Sequence, residues 1–207
     1  MEQLYHIHVS NSHDDQFYEG NTIIVGKEFN NFRQDFLRRS ATYLDRSEMG
    51  EDGKSHDYYR DLENVLSLDK FKGLNVAQQL RVLEAVRAYV INSKLDFREI
   101  ILEDVRKLLH PAYPSRYNCI WLTDKDSLPF WEQQLKADKR GAQIFEVEYD
   151  GNLFLSTNTL LPDSYIPRDV MYQEAKKYWE PSLEDLVKND DREYLFTGEL
   201  KLTKRVK

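Results

Sequence analysis

The stretch NVAQQLRVLEAVRAYVINSKLDFREIILEDVRKLLHP, from Asn75 to Pro111, carries apolar residues at helical spacing along its length. Pro111 ends the pattern, because it has no amide hydrogen to donate and its ring clashes with the preceding turn. Upstream, Phe29, Phe32, Phe36 and Leu37 recur at the same spacing. A helical block therefore fills the middle of the chain, with β-forming sequence on both sides. That order differs from the regular strand–helix alternation of a doubly wound sheet and predicts an α+β fold.

The flanks supply the strands. LYHIHVS alternates and is rich in β-formers, which predicts a strand over Leu4 to Ser10, and NTIIVG predicts a second over Asn21 to Gly26. Within the helical block, RSEMGEDGKSHDYYRD is polar with two glycines and reads as an exposed loop. After Pro111, NCIWLT reads as a buried strand. DSLPFWEQQLKAD reads as a helix capped by Asp126 or Ser127, with Pro129 in its first turn. AQIFEVEYDGNLFLST predicts a hairpin turning at Asp150-Gly151. RDVMYQEAKKYWEP predicts a helix, and REYLFTGELKL a last strand with a bulge at Gly198. The expectation is a mixed or antiparallel sheet of about six strands. Residues 29–110 form a helical insertion between strands 2 and 3 of one domain, 1–207.

A net charge of -7 gives no global electrostatic reason to bind nucleic acid or an anionic membrane, so any polyanion must be met by a local patch. No apolar stretch approaches the roughly 20 residues of a membrane span, and the N-terminus lacks the form of a signal peptide. The single cysteine excludes an internal disulfide and a cysteine-rich zinc site. These features predict a cytoplasmic protein with no membrane partner.

Phosphate-binding glycine loops, a nucleophile elbow and a His-Glu-x-x-His helix are all absent from the sequence. His6 and His8 alternate onto one face of the first strand, a spacing that can chelate a metal, but no third ligand accompanies them and no metal site is assigned. Cys119, inside an apolar strand, reads as a small buried hydrophobe.

What remains is an ordered constellation. LYHIHVS, CIWLTD followed by SLPFW, and REYLFTGEL come in the order His, aromatic and hydroxyl strand, Glu. This order resembles the ADP-ribosyltransferase superfamily, in particular its small bacterial and phage-defence toxins. The resemblance implies a first-strand histidine, His6, on the NAD ribose, with His8 in reserve. It implies a nicotinamide pocket built by the middle strand and the helix after it, with Thr123 as the hydroxyl, and a catalytic carboxylate, Glu193, at the entrance of the late strand. It covers two short ends and one middle segment. The sequence departs from the family in lacking a His-Gly dipeptide after the first strand, a Ser-Thr-Ser run and a Gln-x-Glu or Glu-x-Glu turn.

The residue types suit that chemistry. Breaking the nicotinamide–ribose bond builds positive charge on the sugar, which a carboxylate at a strand entrance stabilises. Arg116 can grip a pyrophosphate bidentately. Trp121, Trp131 and Tyr117 can form a stacking wall. Each has a plainer alternative: Glu193 as part of the charged run NDDREY on a solvated surface, His6 as a core-edge histidine, Arg116 in a surface ion pair, and the aromatics in core packing.

Tyr172, Lys176 and Trp179 share one face of a helix, and KLTKRVK is locally basic. Both features suit a nucleic-acid acceptor, whereas the first also suits a helix that covers the sheet. The expectation is an NAD-dependent ADP-ribosyltransferase that modifies a macromolecule, RNA or DNA ahead of protein. The resemblance further implies a toxin or defence effector with an antitoxin partner. A partner-binding module of the same fold without catalysis, and an enzyme like the RNA 2'-phosphotransferases, are the competing expectations.

Overall fold

A computed structural model of the chain describes residues 3–9, 16–28, 30, 33–34, 47–49, 55–57, 68–163 and 165–207. They fall into two compact units, one made of Met1–Asn30 with Arg98–Lys207 and the other of Asn31–Phe97. In the second unit, strands β3 (Ser47–Met49) and β4 (Ser55–Asp57) pair antiparallel within the segment expected to be loop. Helix α1 (Leu68–Lys72) precedes the long helix α2 (Val76–Leu109), whose residues from Arg98 onward belong to the first unit. Asn75 and Gln78 cap α2 reciprocally, each side chain accepting the other's backbone N–H at 3.0 Å, and α2 stops two residues before Pro111. Phe29, Phe32, Phe36 and Leu37 lie outside the described residues.

The first unit is built on a five-stranded antiparallel sheet in the order β2-β7-β5-β1-β6. Its strands are β1 (Leu4–His8), β2 (Thr22–Val25), β5 (Ile120–Asp124), β6 (Gln143–Thr157) and β7 (Arg192–Arg205). Because β6 also pairs with β7, the ladder returns on itself, and β7, β5, β1 and β6 form a closed circuit with β2 attached to the side of β7. Such a circuit leaves few unpaired strand edges. Helices α3 (Leu128–Gln134), α4 (Ala137–Arg140), α5 (Arg168–Trp179) and α6 (Leu183–Lys188) fill the connections. The sequence reading missed α6, although Ser182 and Asp185 form a capping box at its start.

The strand count corrects the expectation of six. Asp150-Gly151 does not turn the chain: β6 runs through it without a break, and Gly151 lies opposite Gly198 of β7. A Cβ on Gly151 would collide with the Thr197 carbonyl oxygen, and one on Gly198 with the Asp150 carbonyl oxygen, so the backbones approach too closely there for any side chain. The glycines serve a close crossing rather than a reversal. No bulge occurs at Gly198; the register shifts instead between Glu146 and Val147, where Thr203 of β7 is left over.

The two sheet faces bury separate cores. On one, Leu4, Leu122, Phe145, Tyr194, Phe196 and Leu200 pack together. On the other, Phe154 and Leu195 meet Ile101, Leu102 and Val105 of α2 and Met171, Ala175, Tyr178 and Trp179 of α5. Trp179 is 1% exposed and donates its indole N–H to the Leu102 carbonyl at 2.8 Å. Of the stripe Tyr172, Lys176 and Trp179, the tryptophan thus lies in the core while Lys176 faces solvent, as in a helix that covers the sheet. We expect Gly151→Ala and Gly198→Ala each to destabilise the first unit by about 2–4 kcal/mol, the cost of forcing apart two packed strands. Urea unfolding would measure this, and an unchanged midpoint for both would show that the crossing has room to spare.

Candidate functional site

The connection from α2 to β5 carries Arg116, and the fold buries it. Pro111 and Pro114 break the helix, and the Arg106 guanidinium holds the turn by donating to the Pro111 and Tyr113 carbonyls at 3.0 and 2.9 Å while pairing with Glu103. Ser115 donates to Glu103 at 2.9 Å. Arg116, 6% exposed, is thereby set beneath α5, against the sheet face that carries Leu195 and Phe154.

Its guanidinium bridges two carboxylates. Nε donates to Glu99 of α2 at 2.9 Å, and Nη1 donates to Glu193 Oε1 at 2.8 Å. The same Nη1 lies 2.6 Å from the Tyr178 hydroxyl, which donates to Glu193 Oε1 at 2.5 Å. Both bonds to Glu193 fall on Oε1, and among the described residues none reaches Oε2. Arg98 donates to the other oxygen of Glu99 at 3.0 Å. The Trp121 and Tyr178 rings lie 5.6 and 5.2 Å from the guanidinium carbon, near enough for cation–π attraction.

Burial opposes charge at each of these groups, and their neighbours decide the outcome. Burial alone would raise the Glu99 carboxyl, but Arg116 and Arg98 outweigh it and hold it below its ordinary range. Arg116 loses hydration on burial, yet Glu99, Tyr178 and Glu193 keep its proton bound more tightly than usual. Burial, reinforced by Glu193, pushes the Tyr178 phenol well up, so it remains a donor. The adjacent Cys119 thiol is also driven up by burial and stays protonated, as its reading as a hydrophobe requires.

Glu193 is the second residue of β7 and is 2% exposed, so it does not belong to a solvated charge run. A second set of contacts holds the strand at this point. Thr123 Oγ1 and Trp131 Nε1 both donate to the Arg192 carbonyl, at 3.2 and 2.8 Å. The Arg192 guanidinium grips Asp124 through two bonds, and the Arg192 amide donates to Ser127 Oγ. On the other side Ser156, opposite Glu193 in β6, donates to the Tyr178 carbonyl at 2.8 Å.

The register shows which predicted residues meet. Trp121 lies opposite Leu195 and Leu122 opposite Tyr194, so one step further Thr123 falls opposite Glu193. Arg116, Trp121, Thr123, Trp131 and Glu193 therefore gather at one end of β5 and β7. His6 does not join them: Tyr5 is the partner of Thr123, so His6 points to the opposite face, with Leu4 and Leu122. There it is 8% exposed, its Nδ1 lies 3.0 Å from the Trp121 carbonyl, and its Nε2 is buried with no partner among the described residues. His8 stacks on Phe17 with ring centroids 3.9 Å apart. Among the described residues no group of three metal-ligating side chains forms.

Sequence reasoning missed Tyr178 and Glu99. Met171, Ala175 and Tyr178 recur at four and three residues and mark the buried stripe of α5, a signal obscured by the neighbouring Tyr172, Lys176 and Trp179. Glu99 stands among the apolar residues of α2, where only its arginine partners explain it. An open cleft of about 650 Å³ lies elsewhere, lined by Gly26, Lys27, Tyr113, Asn118, Gly151 and Gly198 among others, and contains none of the predicted site residues. In the basic tail, Lys201 pairs with Glu148 and Lys207 with Glu132.

Burial holds His6 neutral, with a pKa lowered to about 4 despite the carbonyl beside it, whereas an unfolded histidine titrates near 6.5. Between those values the unfolded chain binds the extra proton, so stability falls as pH drops from 6.5 towards 4, by about 3 kcal/mol in total. Glu99 adds a loss at lower pH, where the stability that its depressed carboxyl contributes above its ordinary value of 4.5 disappears. Urea unfolding across this range should show the decline in the wild type and a flatter profile above pH 4.5 in His6→Leu. Identical profiles would remove His6 as its source.

No helix among the described residues is long and apolar enough to cross a membrane. No curated protein matches the chain. Residues 4–207 match the model of DUF2441, described as a protein of unknown function, and the chain belongs to that family.

Proposed function

We propose that the chain is an NAD-dependent ADP-ribosyltransferase acting on a macromolecule, with Glu193 as the catalytic carboxylate. The observation that carries this reading is the strand order β1-β5-β7, in which the three segments of the resemblance are hydrogen-bonded neighbours although more than a hundred residues separate the first from the second. Antiparallel pairing then brings Thr123 and Glu193 opposite each other at the strand ends. Glu193 supports the reading further through Oε2, which accepts no bond from a described residue and suits a ribose hydroxyl.

The chemistry asked of the chain is modest. The nicotinamide–ribose bond breaks with its electron pair leaving on nicotinamide, and an acceptor nucleophile takes the sugar and loses a proton. Glu193 stabilises the positive charge that builds on the sugar, and Arg116 holds Glu193 in place through Oε1. Trp121 and Thr123 line the same strand end. Arg116 serves this site through Glu193 rather than by gripping a pyrophosphate, since its bonds are directed to Glu99, Tyr178 and Glu193. A toxin or defence effector with an antitoxin partner remains what the resemblance implies.

A second reading rests on the burial of the same group. Glu193 at 2% exposure and Arg116 at 6% suit a network that only binds α2 and α5 to the sheet, in a non-catalytic partner-binding domain of the same fold. Incubating the protein with labelled NAD and separate pools of RNA, DNA and cell protein distinguishes the two. The transferase predicts label fixed on one pool, reduced at least about 100-fold in a folded Glu193→Gln variant. Undiminished transfer by that variant would sink the role of Glu193. Absence of label, together with absence of NAD binding by calorimetry, would leave the binding domain.

A further inference from the structure

We propose that Tyr178 and Arg116 are the positioning residues of Glu193, fixing one carboxylate oxygen so that the other is presented to the substrate; this rests on the transferase reading. A glutamate has three side-chain torsions, and an unrestrained carboxylate spreads over many orientations. Here two donors from different elements, Tyr178 near the end of α5 and Arg116 in the α2–β5 connection, converge on Oε1 at 2.5 and 2.8 Å. The arrangement is asymmetric. Arg116 gives its Nε to Glu99 and reaches Glu193 through Nη1 alone, so among the described residues no parallel two-bond grip engages both oxygens of Glu193.

The donors are themselves held. Ser156, paired with Glu193 across the sheet, fixes the Tyr178 backbone through its carbonyl, and the Tyr178 ring packs edge-on to Trp179 with centroids 5.0 Å apart. Arg98 holds Glu99, and Glu99 holds Arg116. A chain of four charges, Arg98, Glu99, Arg116 and Glu193, thus ends at Glu193 Oε1, and Tyr178 meets the same oxygen from α5. Pure packing does not require both donors to choose one oxygen. A carboxylate that must accept a sugar hydroxyl with the other does require it.

The test uses Tyr178→Phe, which keeps the ring in the core and deletes only the donor; removing Arg116 would strand buried carboxylates and risk unfolding. Turnover of NAD is followed for wild type, Tyr178→Phe, Glu193→Gln and the double variant, with unfolding midpoints measured in parallel. The expectation is a loss of about 10-fold to 100-fold in kcat for Tyr178→Phe, with KM for NAD little changed. The loss should vanish when Tyr178→Phe is added to Glu193→Gln, because the hydroxyl acts through that carboxylate. A purely structural hydroxyl would instead lower the unfolding midpoint in both backgrounds and reduce turnover by the same factor in each, and that result would overturn the positioning role while leaving the transferase in place. Absence of NAD turnover in the wild type would remove the transferase reading and this role together.

Discussion

The first unit depends on one buried guanidinium. Arg116 joins α2, the entrance of β7 and the end of α5 through Glu99, Glu193 and Tyr178. Dehydrating ions costs several kcal/mol each, and a buried ion pair is often no more stabilising than well-packed apolar residues. The network is therefore weak evidence of stability. It is stronger evidence of specificity, because a misplaced helix would leave a charge unpaired inside the core, a cost of roughly 3–5 kcal/mol that slippage of an apolar contact does not incur. The apolar residues Ile101, Leu102, Phe154 and Leu195 supply attraction without direction, and Arg116 selects one arrangement of them.

The same logic extends to both sides of Glu193. Towards β5, the Arg192 carbonyl receives Thr123 and Trp131 while its guanidinium grips Asp124. Towards β6, Ser156 ties the α5 backbone to the sheet. The carboxylate consequently lies between two sets of polar contacts on consecutive residues of one strand. Long strands cannot easily shift relative to one another when they are paired on both edges, and the closed circuit adds that constraint. Motions that reach Glu193 must come from the side chains and helix ends around it, not from sliding of β7.

Local pattern carried much of the fold. Alternation located β1, β2, β5 and β7 to within a few residues, and Pro111, Pro129 and the apolar spacing located α2, α3 and α5. The failure at Asp150-Gly151 shows the limit of such reading. That dipeptide has the backbone freedom of a tight turn, and nothing nearby reveals that Gly198, 47 residues away, will lie against it. Glycine stands at both positions because of a contact that exists only after folding. The site divides in the same way. Arg116 and Trp131 were identifiable by residue type, and Thr123 and Glu193 by the motif order of the resemblance, whereas the roles of Tyr178 and Glu99 depend on the packing of two helices. His6 was expected beside them, but the parity of one strand against the next turns it to the other face, and an unaligned sequence does not contain that register.

A residue that is both a structural tie and a reactive group faces opposing demands. The tie favours full burial and every oxygen bonded; the reaction needs one oxygen unbonded and able to meet substrate. A carboxylate can meet both because its two oxygens are separable, whereas a lysine or a tyrosine presents a single polar atom. Glu193 divides in this way, with Oε1 given to Arg116 and Tyr178. The second carboxylate, Glu99, shares the guanidinium: it takes Nε, and Glu193 receives Nη1 rather than the two-bond grip that guanidinium and carboxylate favour as an isolated pair. The extra buried charge, unfavourable when considered alone, is thus offset by the same guanidinium that holds Glu193 through one oxygen.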